Sequence, residues 1–221
     1  RLICQEDYWN EFQDYILNLY SNIVKSVGWE KGSQEGHLES ILRNTVIRQA
    51  GLSGSPEVRD EAITRFNSYL EDPMSLDPDL RGPVFDIVGH YGDSNTFDVM
   101  WNLVRQAELQ EEKLRLLSGL SHFSKESLLI QTLERSLQSD VRSQDTVSII
   151  TNVAMNPAGT DLAWSFIKNN WTELDRRYGK GGFVIMRLVS ITGMFSSPTK
   201  SEEVRTFFNN HPAPAARRTI E

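Results

Sequence analysis

Metal ligation and proton transfer near neutral pH fall to histidine before any other side chain, and this sequence has four: His37, His90, His122 and His211. They are far apart along the chain and none stands at ligand spacing. No His-Glu-x-x-His occurs to put two ring nitrogens on one helix face. A Gly-x-Ser-x-Gly turn for a nucleophilic serine is absent too, as is a phosphate loop. Gly179-Lys-Gly-Gly182 has the composition of a glycine-rich loop, but no strand precedes it, and it reads as a turn between helices. The carboxylate pairs Asp60-Glu61, Glu111-Glu112 and Glu202-Glu203 lie in helical stretches, with Lys or Arg three or four residues on or at a helix start. That spacing describes solvated faces. Trp164 and Trp171 could stack a ligand, yet seven residues apart they read as core. Arg81, Arg115 and Arg187 each stand within or beside an apolar helical face. Two readings stay open for them: a stem lying along apolar neighbours with its head in water, or a cation on a concave wall placed to bind a carboxylate. No residue is assigned as catalytic or as a metal ligand.

The elements that would position these side chains are helical almost throughout. Phe12, Ile16, Leu19, Tyr20, Ile23 and Val27 form one stripe, stopped at Gly28. A polar, Gly-rich linker from Glu30 to Gly36 follows. Leu38, Ile41, Leu42, Thr45 and Val46 form the next stripe, stopped by Gly51 and Gly54. Ser55-Pro-Glu57 and Asp77-Pro-Asp79 are helix starts: a capping side chain, a proline at the first helical position and an acid in the first turn. Pro83 falls inside the second of these helices and is expected to kink it. Further faces are carried by Phe97, Met100, Trp101 and Val104, by Leu114, Leu117 and Leu120, and by Leu129, Leu133 and Leu137. Val147, Ile150, Thr151 and Ala154 make one helix. Ala163, Phe166, Ile167, Asn170 and Leu174 share a face of the next, with the joint at Asn156-Pro157. Ile185, Leu188, Val189 and Thr192 restore the pattern after the glycines. Thr199 and Glu202 read as a capping box before Val204, Phe207 and Phe208. Sustained alternation of period two is absent, so no sheet is expected. Helix pairs of roughly 30–40 residues come close to the period of HEAT-like repeats, and the fold class is all-α, an irregular α-solenoid with a concave face.

Composition narrows the function. Of 221 residues, 39% are hydrophobic and 24% charged, which describes a folded chain. The net charge of −7, with no basic run longer than Arg217-Arg218, speaks against nucleic acid. No apolar run approaches the roughly 20 residues that span a bilayer. Cys4 is the only cysteine, so no disulfide and no cysteine zinc site forms within the chain, and a reducing compartment is expected. The sequon Asn170-Trp-Thr172 lies inside a helical pattern and reads as unused. The acidic start, with no signal peptide and no initiator Met, suggests an excised segment.

Six runs carry a family resemblance: Glu35-Gly-His-Leu-Glu-Ser-Ile-Leu-Arg43, Asp79-Leu-Arg-Gly-Pro-Val-Phe85, Gln106-Ala-Glu-Leu-Gln-Glu-Glu-Lys113, Val141-Arg-Ser-Gln-Asp-Thr-Val-Ser148, Ala163-Trp-Ser-Phe-Ile-Lys-Asn-Asn-Trp171 and Phe207-Phe-Asn-Asn-His-Pro-Ala-Pro214. In this order, over essentially the whole chain, they resemble the C-terminal domain of M1-family zinc aminopeptidases, nearest to the puromycin-sensitive, cytosolic branch. The resemblance implies an all-helical bowl of HEAT- or armadillo-like pairs that closes over the active site, encloses a peptide cavity and gates access. A separate domain carries the zinc helix and the Gly-x-Met-Glu-Asn exopeptidase motif, and neither motif is in this sequence. The turn from Tyr178 to Gly182 corresponds to one that faces the catalytic cleft, where relatives can place an acid and this chain has Gly179 and Lys180. Ser121 and His122 occupy the region where antigen-trimming relatives bind the peptide C-terminus with a basic residue. Arg81 falls in the family's Leu-Arg-x-Pro-Val pattern.

The reading is therefore a single all-helical domain over residues 1–221, a fragment of a longer aminopeptidase with the catalytic domain absent. It is expected to be inactive alone and to hold no cofactor, the zinc belonging to the parent's catalytic domain. Its expected partners are that domain and peptide substrates, not nucleic acid or membrane, in the cytoplasm. Relatives continue with helices beyond the Pro-Ala-Pro segment, so bare apolar edges are expected to favour self-association. The substrate-cavity candidates are Arg81, Arg115, Ser121, His122, Tyr178, Lys180 and Arg187. The competing reading is a stand-alone helical-repeat scaffold that binds a protein or peptide on its concave face. An enzyme with a novel site in this segment has little to support it.

Overall fold

The structure, a computed structural model, describes residues 7–32, 35–180 and 182–220. Cys4 and Gly181 lie outside the described residues. Every regular element among the described residues is helical. The chain divides into two compact units, residues 1–124 and 125–221.

The first unit holds α1 (Trp9–Val27), α2 (His37–Leu52), α3 (Pro56–Glu71), α4 (Pro78–Tyr91), α5 (Ser94–Gln106) and α6 (Gln110–Leu120). α4 is its axis. It packs on α2, α3, α5 and α6, and its residues from Pro83 to Gly89 are all buried. The helix starts at Ser55 and Asp77 form as the sequence predicts, each side chain accepting a backbone N–H of its first turn. α4 continues through Pro83. The proline leaves the Asp79 carbonyl without its helical donor, and Asn44 of α2 supplies one: its Nδ2 donates to Asp79 O at 2.6 Å.

α1 forms over its stripe and ends at Gly28 as read, though its face stays open, and the inner face of α2 is corrected. No residue of α1 is buried, and Phe12, Leu19 and Ile23 remain at least a third exposed. α2 buries Ser40, Arg43, Val46, Ile47, Ala50 and Gly51, while Leu38, Ile41 and Leu42 face outward. Arg43 is what turns the helix. It pairs with Glu35 and donates to the end carbonyls of α1, Val27 O at 2.9 Å and Gly28 O at 3.2 Å. Those carbonyls have no helical donor of their own. Gly28 itself takes a positive φ of 57° where α1 ends. In α6 the buried leucines are Leu116, Leu117 and Leu120, and Leu114 is partly exposed.

The second unit holds α7 (Glu126–Arg135), α8 (Ser143–Met155), α9 (Thr160–Asn169), α10 (Trp171–Tyr178), α11 (Gly182–Val189), α12 (Pro198–Asn210) and the short α13 (Arg217–Ile220). α7 ends at Arg135 and leaves Leu137 outside, because Ser136 turns its hydroxyl back onto Leu133 O at 2.6 Å. The single face read from Ala163 to Leu174 is two helices. Asn170 breaks it, donating from Nδ2 to Phe166 O at 2.9 Å. The capping box at Thr199 and Glu202 is replaced by Ser197, which accepts from Lys200 N with Pro198 at the first helical position. Glu202 pairs instead with Arg205. Trp164 and Trp171 are core, 1% and 6% exposed. Trp164 sits 5.2 Å edge-on to Phe207, and Trp171 sits 5.4 Å from Phe208. The indole N–H of Trp164 is satisfied by Glu203 Oε1 at 2.9 Å.

Candidate functional site

Glycines set the geometry of the first unit's interior. A Cβ on Gly51 would lie 2.5 Å from Ile87 Cδ1. On Gly89 it would lie 2.1 Å from the Gly119 carbonyl oxygen, and on Gly119 2.7 Å from the Phe85 oxygen. α2, α4 and α6 thus cross closer than any side chain at these points permits. Three residues before Gly51 stands Arg48, three before Gly89 stands Asp86, and three after Gly119 stands His122. A step of three returns to the same helix face, so the crossings draw these polar residues together.

Asp86 is 2% exposed. Arg48 Nη2 reaches its Oδ2 at 2.6 Å, and Ser118 adds a side-chain hydrogen bond to the carboxylate. The same Nη2 lies 3.2 Å from His122 Nε2. A guanidinium only donates, so this ring nitrogen accepts and carries no proton. It therefore has nothing to offer Asp86 Oδ1, 3.5 Å away, and that oxygen is buried without a hydrogen-bond partner. Burial raises Asp86 from the ordinary carboxyl range to about 6, against the opposing pull of Arg48 and Ser118. Burial lowers His122 to about 4, helped by the charges of Arg48 and His90. His90, one turn along α4, is also lowered by burial, against its hydrogen bond to the His122 backbone. Tyr91 closes this end by donating its hydroxyl to Gly51 O at 2.8 Å. A cleft of about 350 Å³ opens beside the cluster, with Asn44, Arg48, Asp86, Glu111, Arg115 and Ser118 in its lining.

A second buried acid, Glu112, ties α3, α4 and α6. Tyr69 donates its hydroxyl to Oε1 at 2.9 Å, Arg81 Nη1 reaches the same oxygen at 3.1 Å, and Arg115 Nη1 reaches Oε2 at 3.3 Å. Burial, then the bond to Glu112, pushes the Tyr69 phenol up to about 12. Arg81 also fastens the turn before α4, donating to Pro73 O at 2.7 Å and Leu76 O at 3.3 Å.

Of the sequence candidates, the structure brings Arg81 and Arg115 onto one carboxylate, and places Arg115 in the lining of the cleft and His122 in the adjoining cluster. Ser121 is buried and donates to Leu117 O at 3.0 Å. Three candidates belong to the second unit. The Tyr178 hydroxyl donates to Ser143 O at 2.5 Å, Arg187 Nη1 donates to Ser148 Oγ at 3.1 Å, and Lys180 is exposed. Sequence reasoning missed Arg48, Asp86 and Ser118, and it read Glu111-Glu112 as a solvated pair, whereas Glu112 is buried at 6% exposure because Tyr69, Arg81 and Arg115 all converge on its carboxylate. For Asp86 a signal existed: a lone acid in the run Val84-Phe-Asp-Ile-Val88, where a helix apolar all round predicts full burial.

Zinc does not fit the residues described. Among them no group of three or more His, Cys, Asp or Glu could hold a metal ion. Where His90 and His122 meet, the Arg48 guanidinium already lies against the free ring nitrogen, setting a cation where a metal would have to bind. His37 and His211 are both exposed.

Fold and cluster define an all-helical domain with a buried acid–arginine pair at its helix crossings. Residues 1–221 match the family described as the ERAP1-like C-terminal domain, and the chain belongs to that family. It is similar to Aminopeptidase N of Bos taurus, 30% identical over 216 residues, covering 93% of this chain and 22% of that protein. It is likewise similar to Aminopeptidase M1 of Arabidopsis thaliana, 25% identical across 98% of this chain and 25% of the relative. A third is the thyrotropin-releasing hormone-degrading ectoenzyme of Homo sapiens, 28% identical across 98% of this chain and 21% of the relative. The chain spans a quarter or less of the length of these relatives.

Proposed function

We propose that this domain serves a zinc aminopeptidase that removes N-terminal residues from peptides, as the non-catalytic wall that caps the active site, encloses the peptide and gates its entry. The observation that carries this is the family match over residues 1–221, together with relatives named as aminopeptidases that are several times longer. The zinc then belongs to the catalytic domain of the same polypeptide. The resemblance to the puromycin-sensitive branch and the single cysteine support a cytoplasmic parent. A parent recovered with N-glycans would overturn that placement.

The chain expressed alone should bind no stoichiometric zinc and release no amino acid from aminoacyl-coumarin substrates. Deleting residues 1–221 from the parent should remove its discrimination between short and long peptides. Zinc-dependent turnover by the isolated chain, or unchanged length discrimination by an active truncated parent, would refute the assignment.

A further inference from the structure

Arg48 and Asp86 differ sharply in exposure. The Asp86 side chain is 3% exposed and that of Arg48 38%, so the guanidinium lies between a buried acid and the open cleft. Among the described residues its one carboxylate partner is Asp86. We propose that Asp86 is a proton-operated latch on Arg48: the ionised carboxylate holds the guanidinium against the wall of the α2–α4–α6 cleft, and the protonated acid yields it to a small carboxylate bound there.

One proton undoes both of the arginine's contacts. On Oδ1 it cancels the charge that holds Nη2 at Oδ2. It also gives the orphaned oxygen a hydrogen to donate, and His122 Nε2, 3.5 Å away, is an acceptor for it. That is the lone pair Arg48 occupies in the unprotonated cluster. The side chain then needs only to turn outward, because its head is already at the cleft. Arg115, 29% exposed, lines the same cleft and shares the Glu112 carboxylate with Arg81, so those three groups together keep one net positive charge beside it. Two guanidinium groups suit a carboxylate, which accepts from paired N–H donors.

The other groups around Asp86 leave it in charge of the response. From α2 come Arg48 and the neutral Asn44, and from α4 comes His90, whose own affinity for protons is lowered by burial. From α6 come Ser118, Glu111 and Arg115, with Glu112 already occupied by Arg81, Arg115 and Tyr69. Tyr69 is the titratable group that α3 directs to this interior, and Glu112 takes it. The buried side chains of α5 are the apolar Phe97, Met100, Trp101 and Val104.

The test follows the Arg48 Nε–H resonance of the 221-residue chain while acetate or N-acetylglycine is added. If only the acid-protonated state binds, its fraction sets the apparent affinity. With Asp86 at about 6, lowering the pH from about 7.5 to about 5 should tighten binding roughly 30-fold. Asp86→Asn should bind with no such pH dependence. Equal enhancement for both probes marks free acids as the ligands, and preference for N-acetylglycine marks chain ends. Should Asp86→Asn not fold, the wild-type chain decides: the Asp86 carboxyl carbon and the Arg48 Nε–H must titrate with a common midpoint. Separate midpoints, pH-independent binding by the wild type, or pH-dependent binding by Asp86→Asn would each overturn the latch. The assay needs no catalytic domain, so its failure and a failure of the peptide-gating role are separate results.

Discussion

Asp86→Asn and His122→Gln should give the stability of this chain opposite pH slopes. Asp86 binds its proton more tightly in the folded state, with its pKa raised from 3.8 to about 6. Its stabilising contribution is therefore complete below pH about 4 and is lost as the pH rises through about 6. His122 behaves the other way. Its pKa is depressed from 6.5 to about 4, so its contribution is present above about 6.5 and is lost as the pH falls through about 4. At about 1.4 kcal/mol per pH unit, each amounts to roughly 3 kcal/mol across nearly the same window. In the wild type the two cancel, because folding moves one proton from the imidazole to the acid. His122→Gln exposes the Asp86 response, and stability should fall by about 1.4 kcal/mol per unit as pH rises from about 4 to about 6. Asp86→Asn exposes the His122 response, with a slope of the same size and opposite sign. Urea denaturation of both variants and the wild type across this range is the assay. Two variant slopes of the same sign, or two that track a flat wild type, would refute the assignment of the proton to Asp86.

Three further outcomes test the surrounding architecture. Gly89→Ala and Gly119→Ala each force a Cβ onto backbone oxygen at 2.1 and 2.7 Å, and should each cost about 3 kcal/mol or more in urea denaturation. Glu112→Gln leaves the buried arrangement of Arg81 and Arg115 without its counter-charge, and should destabilise by roughly 3–5 kcal/mol. It should also bring the Tyr69 phenol down from about 12, read by ultraviolet titration. Asn44→Ala strips the Asp79 carbonyl of its donor at a cost of about 1 kcal/mol. That cost should shrink in the Pro83→Ala background, where the restored N–H serves the carbonyl instead, and a double-mutant cycle measures the difference.

The helix starts at Ser55 and Asp77 were legible because capping is local: the side chain and the N–H it serves lie within four residues. The helix ends were less so. Asn170 and Ser136 stop their helices by turning a side chain back onto a carbonyl, a competition between local hydrogen bonds that apolar periodicity does not register. The inner face of α2 was misread for a different reason. Leu42 and Arg43 are neighbours, and hydrophobicity alone favours burying the leucine, yet the arginine goes inward because the open carbonyls of α1 need a donor.

The cluster was hidden by the same logic at longer range. Arg48, Asp86 and His122 stand in three elements, and each by itself reads as an ordinary polar residue on a helix or turn. They share one feature visible in the sequence, a glycine three residues away: Arg48 before Gly51, Asp86 before Gly89, His122 after Gly119. Glycine inside a helix costs about 1 kcal/mol relative to alanine, and here the cost is offset by backbones that come close enough to exclude water between them. That exclusion is also what raises Asp86 and lowers His122, since burial is the first cause of both shifts. Close packing and unusual proton affinity are thus one property of the three crossings. A change that loosens them, such as Gly119→Ala in a background stable enough to remain folded, should return Asp86 toward 3.8 and His122 toward 6.5 together.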